Sequence, residues 1–189
     1  EIVTALPVPL VDPTDIAATV LSATVLSQPV QTLDSLRAAR HDNLESDGVS
    51  LAESVELPLM EVRALLDLGD VAKAGRKIEA LAERVGWRWR LVWFKAVAEL
   101  LTGDYDSAIK HFSEVLDTFP GELAPKLALA ATAELAGNSD ERPFYETVWH
   151  TDNNIISAGF GLARAQSVEG DRSAAVTTLD EAPIGSRHF

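Results

Sequence analysis

The 189-residue chain has no cysteine. That excludes disulfides, a thiolate zinc site and a cysteine nucleophile. Positive charge is scarce: 16 Lys and Arg face 29 Asp and Glu, a formal net charge of −13. A surface of that sign opposes non-specific binding to nucleic acid or anionic lipid. No apolar run is long enough to span a membrane. The first residue is Glu1 rather than Met, and no basic leader precedes an apolar stretch, so the chain reads as an excised fragment. No helix with a polar outer face follows Ala182-Pro183 to close a repeat array, which points the same way. The G-x-G-x-x-G, Walker A and G-x-S-x-G patterns are missing, as are the kinase catalytic loop and D-F-G. Neither cofactor nor metal is expected. The four histidines, His41, His111, His150 and His188, lack a second ligand at metal spacing and read as surface residues.

What is present is a period. Hydrophobic content of 47% beside 24% charge fits an ordered chain. Its alanines and leucines recur at helical steps. Between Gly103 and Pro120 a corner is followed by an amphipathic helix carrying Ala108, Ile109, Phe112, Val115, Leu116 and Phe119. Gly103 suits the left-handed end of one helix, and Asp104 the cap of the next. Gly69-Asp70 lies 34 residues earlier, Gly137-Asn138 34 later, and Gly170-Asp171 33 beyond that. A helix–turn–helix period near 34 is the tetratricopeptide-repeat signature. The predicted fold is all-α, a right-handed repeat solenoid of about four repeats with an atypical helix pair before them.

Taken in order, residues 1–12 carry prolines and no helical period, and read as an extended linker from an upstream domain. Residues 13–50 form a helix pair and a loop. Asp12 is the expected N-cap of a helix reaching about Ser27, with Pro13 at its first position. A second helix covers about 30–40, and polar residues 41–50 are the loop. The repeat array spans 55–189, as 55–88, 89–122, 123–155 and 156–189. Pro58, Pro125 and Pro143 each fall in a first turn, where they break no helical hydrogen bond. Ser54 and Ser139 are the expected caps for the first and last of these helices. The small residue of each second helix is Ala74, Ala108 and Ala175, with Arg142 in the third repeat. In the first helices the equivalents are Val62, Ala96, Ala130 and Ala163.

In such repeats, positions two, five and nine of the first helix line the concave face. Here they are Glu56, Leu59 and Arg63; Arg90, Trp93 and Val97; Ala124, Leu127 and Ala131; and Ser157, Phe160 and Arg164. The predicted groove has an apolar floor, with arginines to receive acidic and apolar segments. No Lys or Asn stands there to clamp a terminal carboxylate. The aromatic run from Trp87 to Phe94 either fills the junction between the first two repeats or, through Trp93, anchors a partner.

The blocks VLSQPVQTLDSLRAAR, VELPLMEVRALLDLGDVAKA, ERVGWRWRLVW, AELLTGDYDSA and HFSEVLDTFPGELAPKLALAATAELAGN resemble the tetratricopeptide-repeat region of the mycobacterial protein kinase G family. The closing GLARAQSVEGD and LDEAP resemble it too. The resemblance implies a non-catalytic accessory region of a cytoplasmic serine/threonine kinase that regulates glutamate metabolism. In that family a rubredoxin-like metal domain and a kinase domain using ATP and Mg come first. The implied partners are the kinase domain itself, a phosphorylated FHA-domain regulator and a second copy of the chain. For the last, the open end of the array offers an apolar flank near Val176 and Leu179. Bracing the kinase domain, substrate docking and dimerisation are the expected tasks. A stand-alone adaptor binding acidic and apolar peptides is the alternative.

Overall fold

The computed structural model describes residues 6–22, 27–44, 51–138 and 141–183. Among these are ten α-helices and no strand: α1 (Ala18–Ser22), α2 (Pro29–Leu44), α3 (Glu56–Asp67), α4 (Val71–Val85), α5 (Trp89–Thr102), α6 (Tyr105–Thr118), α7 (Leu123–Ala136), α8 (Glu141–Thr151), α9 (Ile156–Val168) and α10 (Arg172–Asp180). The expected all-α repeat is the fold observed. Two compact units divide it: Val8–Thr102, and Gly103–Phe189 together with Glu1–Pro7.

In the N-terminal unit α3 packs on α4, α4 on α5, and α2 on α3. Gly69 takes φ 77° and Asp70 accepts the Lys73 N–H at 3.2 Å, so the corner ends one helix and starts the next. Helix α4 buries one stripe, Ala74, Ile78 and Leu81. A core of Ala17, Leu21, Leu36, Leu57 and Met60 joins the first helix pair to α3, with Val11 and Leu51 against it. Glu61, 6% exposed, is held between Arg40 of α2 at 3.0 Å and Lys77 of α4 at 2.6 Å. Arg84 of α4 donates to the carbonyls of Ala52 and Ser54.

The start of this unit departs from expectation. The first helix begins at Ala18 rather than Pro13. Asp12 turns back on Thr14, accepting its N–H at 2.9 Å and its hydroxyl at 2.6 Å, and so closes a turn instead of capping a helix. The far end of that expected helix, 23–26, lies outside the described residues. Asp15 then reaches across the chain. Its Oδ1 accepts Ala17 N–H and the Ser54 hydroxyl; its Oδ2 accepts Val55 and Glu56 N–H at 2.9 and 3.1 Å. Ser54 Oγ meanwhile accepts Leu57 N–H at 2.9 Å, the capping bond expected of it. The second helix starts at Pro29 and runs to Leu44, absorbing the first residues of the expected loop. Residues 45–50 are outside the described set.

In the C-terminal unit α6 packs on α7, α7 on α8, α8 on α9 and α9 on α10. Asp104 accepts Ser107 N–H at 3.3 Å and Asp171 accepts Ala174 N–H at 2.9 Å, repeating the corner. Pro125 is buried in the first turn of α7, and Pro143 occupies that of α8. Ser139, the cap expected for α8, lies outside the described residues. Aromatic rings of α8 lie flat against glycines of α9. A Cβ at Gly161 would stand 2.3 Å from the Tyr145 ring, and one at Gly159 2.7 Å from Trp149. Ala108, Ala130 and Ala163 are buried. Arg142 sits near the start of α8 and pairs with Glu146 and Glu169 rather than packing between helices.

Candidate functional site

Helices α3 and α5 of the N-terminal unit pack side by side and carry the first groove positions in sequence. Glu56, Leu59, Met60 and Arg63 of α3 and Arg90 and Phe94 of α5 line a cavity of about 160 Å³. Its remaining wall is the chain's own Val8, Pro9, Leu10 and Val11. Residues 8–12 have no helix or strand. Val8 to Val11 lie against the helices that carry the first groove positions predicted from sequence.

Arg90 joins the two sides. Its Nε donates to the Leu10 carbonyl at 2.9 Å. The guanidinium also lies 3.4 Å from Glu56 and 3.8 Å from Asp12, and 4.6 Å above the Trp89 ring. Glu56 is only 6% exposed. Burial pushes its carboxyl above the usual range, aided by the charges of Asp15 and Asp12, while Arg90 opposes the rise. Hydrogen bonds from Thr14 hold Asp12 below the usual carboxylate range, with a smaller pull from Arg90. Asp15 is also held low. Burial pushes it up, but the Ser54 hydroxyl and the Ala17, Glu56 and Val55 N–H groups outweigh that.

The C-terminal unit has its own polar centre. Glu134 of α7 accepts Arg164 of α9 through both oxygens, at 2.5 and 2.9 Å, and the Tyr145 hydroxyl of α8 at 2.6 Å. Burial raises the carboxyl, but Arg164 and Tyr145 outweigh it and leave it below its usual range. Burial and then Glu134 push the Tyr145 phenol far above its ordinary value. One turn before Arg164, Phe160 is 53% exposed.

The eight groove residues therefore fall into two kinds. Leu59, Trp93 and Leu127 are 2–3% exposed and form the packed floor. Arg63, Arg90, Val97, Phe160 and Arg164 keep more surface. In the N-terminal unit Leu59, Arg63 and Arg90 meet in one cavity; Phe160 and Arg164 share a turn of α9 in the other unit. Trp93 is buried at 3%, so its ring is not a surface anchor in this state. The three arginines are not spare cations. Arg63 pairs with Asp67 at 3.7 Å, Arg90 with Glu56 and Asp12, and Arg164 with Glu134. Sequence spacing located the arginines but not these partners, because the acids come from other helices or another turn. The Asp-Pro-Thr-Asp stretch was the only signal for the Asp12 and Asp15 turns.

Among the described residues, no group of three or more His, Asp or Glu is placed to hold a metal ion. None of their helices is long and apolar enough to cross a membrane.

The family model described as "Protein kinase G tetratricopeptide repeat" matches residues 1–189. The chain is 76% identical over all 189 residues to the serine/threonine-protein kinase PknG of Mycobacterium leprae, and equally so to that of Mycolicibacterium smegmatis. It spans a quarter of the length of each of these relatives (25%). Among solved structures, MamA matches with a TM-score of 0.65 at 16% identity, over 89% of this chain and 93% of that one. A tetratricopeptide repeat protein from Parabacteroides merdae matches at 0.64 and 13% identity, over 90% of this chain and 66% of that one. At those identities the likeness is one of fold.

Proposed function

Because this chain belongs to the protein kinase G tetratricopeptide-repeat family, we propose that it is the non-catalytic interaction and scaffold region of a cytoplasmic serine/threonine kinase. Residues 1–12 are the linker from the kinase domain, 13–50 the N-terminal helix pair and loop, and 55–189 the array in its four repeats. The observation that carries this reading is the seating of residues 8–11 on the α3–α5 face, with the Leu10 carbonyl on Arg90. A linker fixed to the scaffold over several residues limits how the domain before it can move. Bracing thus follows from a short, specific contact rather than from a broad interface. The linked domain would supply ATP and Mg chemistry; this chain supplies position.

Substrate docking by the FHA-domain regulator belongs to the remaining open surface, where Phe160 is an exposed aromatic one turn from the Arg164–Glu134 pair. Homodimerisation would use α10, where Val176 and Leu179 are 59% and 41% exposed. The stand-alone adaptor reading draws on the same Phe160, since an exposed aromatic beside an ion pair suits a short peptide.

The test is calorimetric titration of this chain with the isolated kinase domain and with the FHA-domain regulator. Binding of either, weakened by Phe160→Ala or by Arg90→Ala, is expected. Absence of binding to both, with kinase turnover of the parent unchanged by deleting this region, would sink the scaffold reading. Sedimentation of wild type against Val176→Glu/Leu179→Glu decides the dimer. A single species common to both removes it.

A further inference from the structure

Residues 8–12 hold the α3–α5 face with few contacts. Val11 packs on the core, but Leu10 turns its side chain out, 82% exposed, and Val8 is 41% exposed. Pro7 and Pro9 have no N–H to offer. What fixes the path is Arg90, through the Leu10 carbonyl and the Asp12 carboxylate two residues on. The segment also leaves its seat partly unfilled. A solvent-open cleft of about 160 Å³ persists against Leu59, Met60 and Phe94. A segment with prolines at 7 and 9 has less backbone freedom to lose on docking.

We propose that residues 8–12 are a built-in, displaceable occupant of the α3–α5 face. The outside partner is an extended protein segment of the same chemistry: apolar, proline-containing, with a carboxylate two residues after the carbonyl that Arg90 grips. Such a segment fills the cavity with the side chain that Leu10 withholds, and takes Arg90 from the Leu10 carbonyl and Asp12. Arg90 is then the exchange point. While the chain's own segment is seated, the face is closed to others; when a partner enters, the linker is released. This rests on the reading of the α3–α5 face as a protein-docking face.

The probe is a labelled peptide, Leu-Pro-Val-Pro-Leu-Val-Asp-Pro-Thr, titrated by anisotropy into three full chains. These are the wild type, a loosened Pro9→Gly/Asp12→Ala variant, and the loosened variant with Arg90→Ala added. The loosened chain is expected to bind at least about tenfold more tightly than wild type. Adding Arg90→Ala should remove that gain, with circular dichroism reporting that all three chains are folded. With Val8→Cys as the chain's single cysteine, a spin label there should gain mobility at saturating peptide. The proposal is overturned by a gain that survives Arg90→Ala, by no binding to any folded chain, or by label mobility that peptide does not change. Equal binding to wild-type and loosened chains overturns displacement alone and keeps the face as a docking face. Peptide exchange that works while the kinase-domain titration is blank removes the scaffold reading instead.

Discussion

Asp15 in the N-terminal unit and Glu134 in the C-terminal unit are both carboxylates held below their usual range, and they stitch helices by different means. Asp15 collects backbone donors: the N–H groups of Val55 and Glu56 at the start of α3, together with the Ser54 hydroxyl. Glu134 collects side chains: Arg164 of α9 and the Tyr145 hydroxyl of α8. A backbone donor at a helix start has no other partner, whereas an exposed arginine can return to water. Asp15 therefore fixes where a helix begins; Glu134 adjusts how helices already formed are joined.

That contrast can be broken first at Asp15. Asp15→Ala leaves helix-start donors and a buried hydroxyl without their acceptor, so a loss of about 3 kcal/mol is expected in urea unfolding. A loss no larger than that of Glu134→Gln would erase the distinction. Next is the glycine contact that the C-terminal unit has and that the described glycines of the other lack. Gly161→Ala drives a Cβ into the Tyr145 ring and should cost about 2 kcal/mol. The cost should shrink in a Tyr145→Ala background; a cost unchanged there would mean that the ring is not the obstacle. Third, the local corner caps should behave alike in both units. Asp70→Ala and Asp104→Ala are each expected to cost about 1 kcal/mol in thermal melts. A much larger effect at one would make its corner more than a cap.

The fourth test is pH. Both Asp15 and Glu134 have lowered folded-state values. Each contributes stability above its unfolded value, about 3.9 and 4.3, and that stability is lost as pH falls through the folded value. Asp15→Asn and Glu134→Gln should each flatten the acid limb of stability against pH, Asp15→Asn more. Glu56 has the opposite sign: its value is raised, so its charge opposes folding at neutral pH and protonation relieves that. Last, Arg142→Ala should change stability by less than about 0.5 kcal/mol, since its pairs with Glu146 and Glu169 are largely solvated. A larger loss would place Arg142 with Asp15 rather than with the surface.

The repeat was legible because its signals are local. A glycine at the left-handed end, an acid beside it and a proline in a first turn act within four residues of themselves. Those features set the corners at Gly69, Gly103 and Gly170 before any contact is known. What crosses the chain was not legible. Asp15 meets donors about 40 residues away, and no pattern in either stretch announces the pairing. Trp93 occupies a groove position yet is buried, because the spacing that assigns a face does not report how deeply neighbours cover it. Arg63, Arg90 and Arg164 were visible as cations, and Asp67 is a local partner four residues after Arg63; the acids that pair with Arg90 and Arg164 lie in other elements and were not legible. Gly161 was passed over because nothing near it in sequence indicates the Tyr145 ring.

The corner has one more consequence. Asp70, Asp104 and Asp171 each satisfy a donor three residues ahead, so a helix pair carries its own stop and its own start. A module built that way can be duplicated, lost or exchanged by recombination without leaving an orphan amide in the neighbour. The first helix pair cannot travel so freely. Its Asp15 serves the start of α3, so the ancestry of residues 13–67 is expected to be inherited as one block, while the repeats beyond it remain free to change in number.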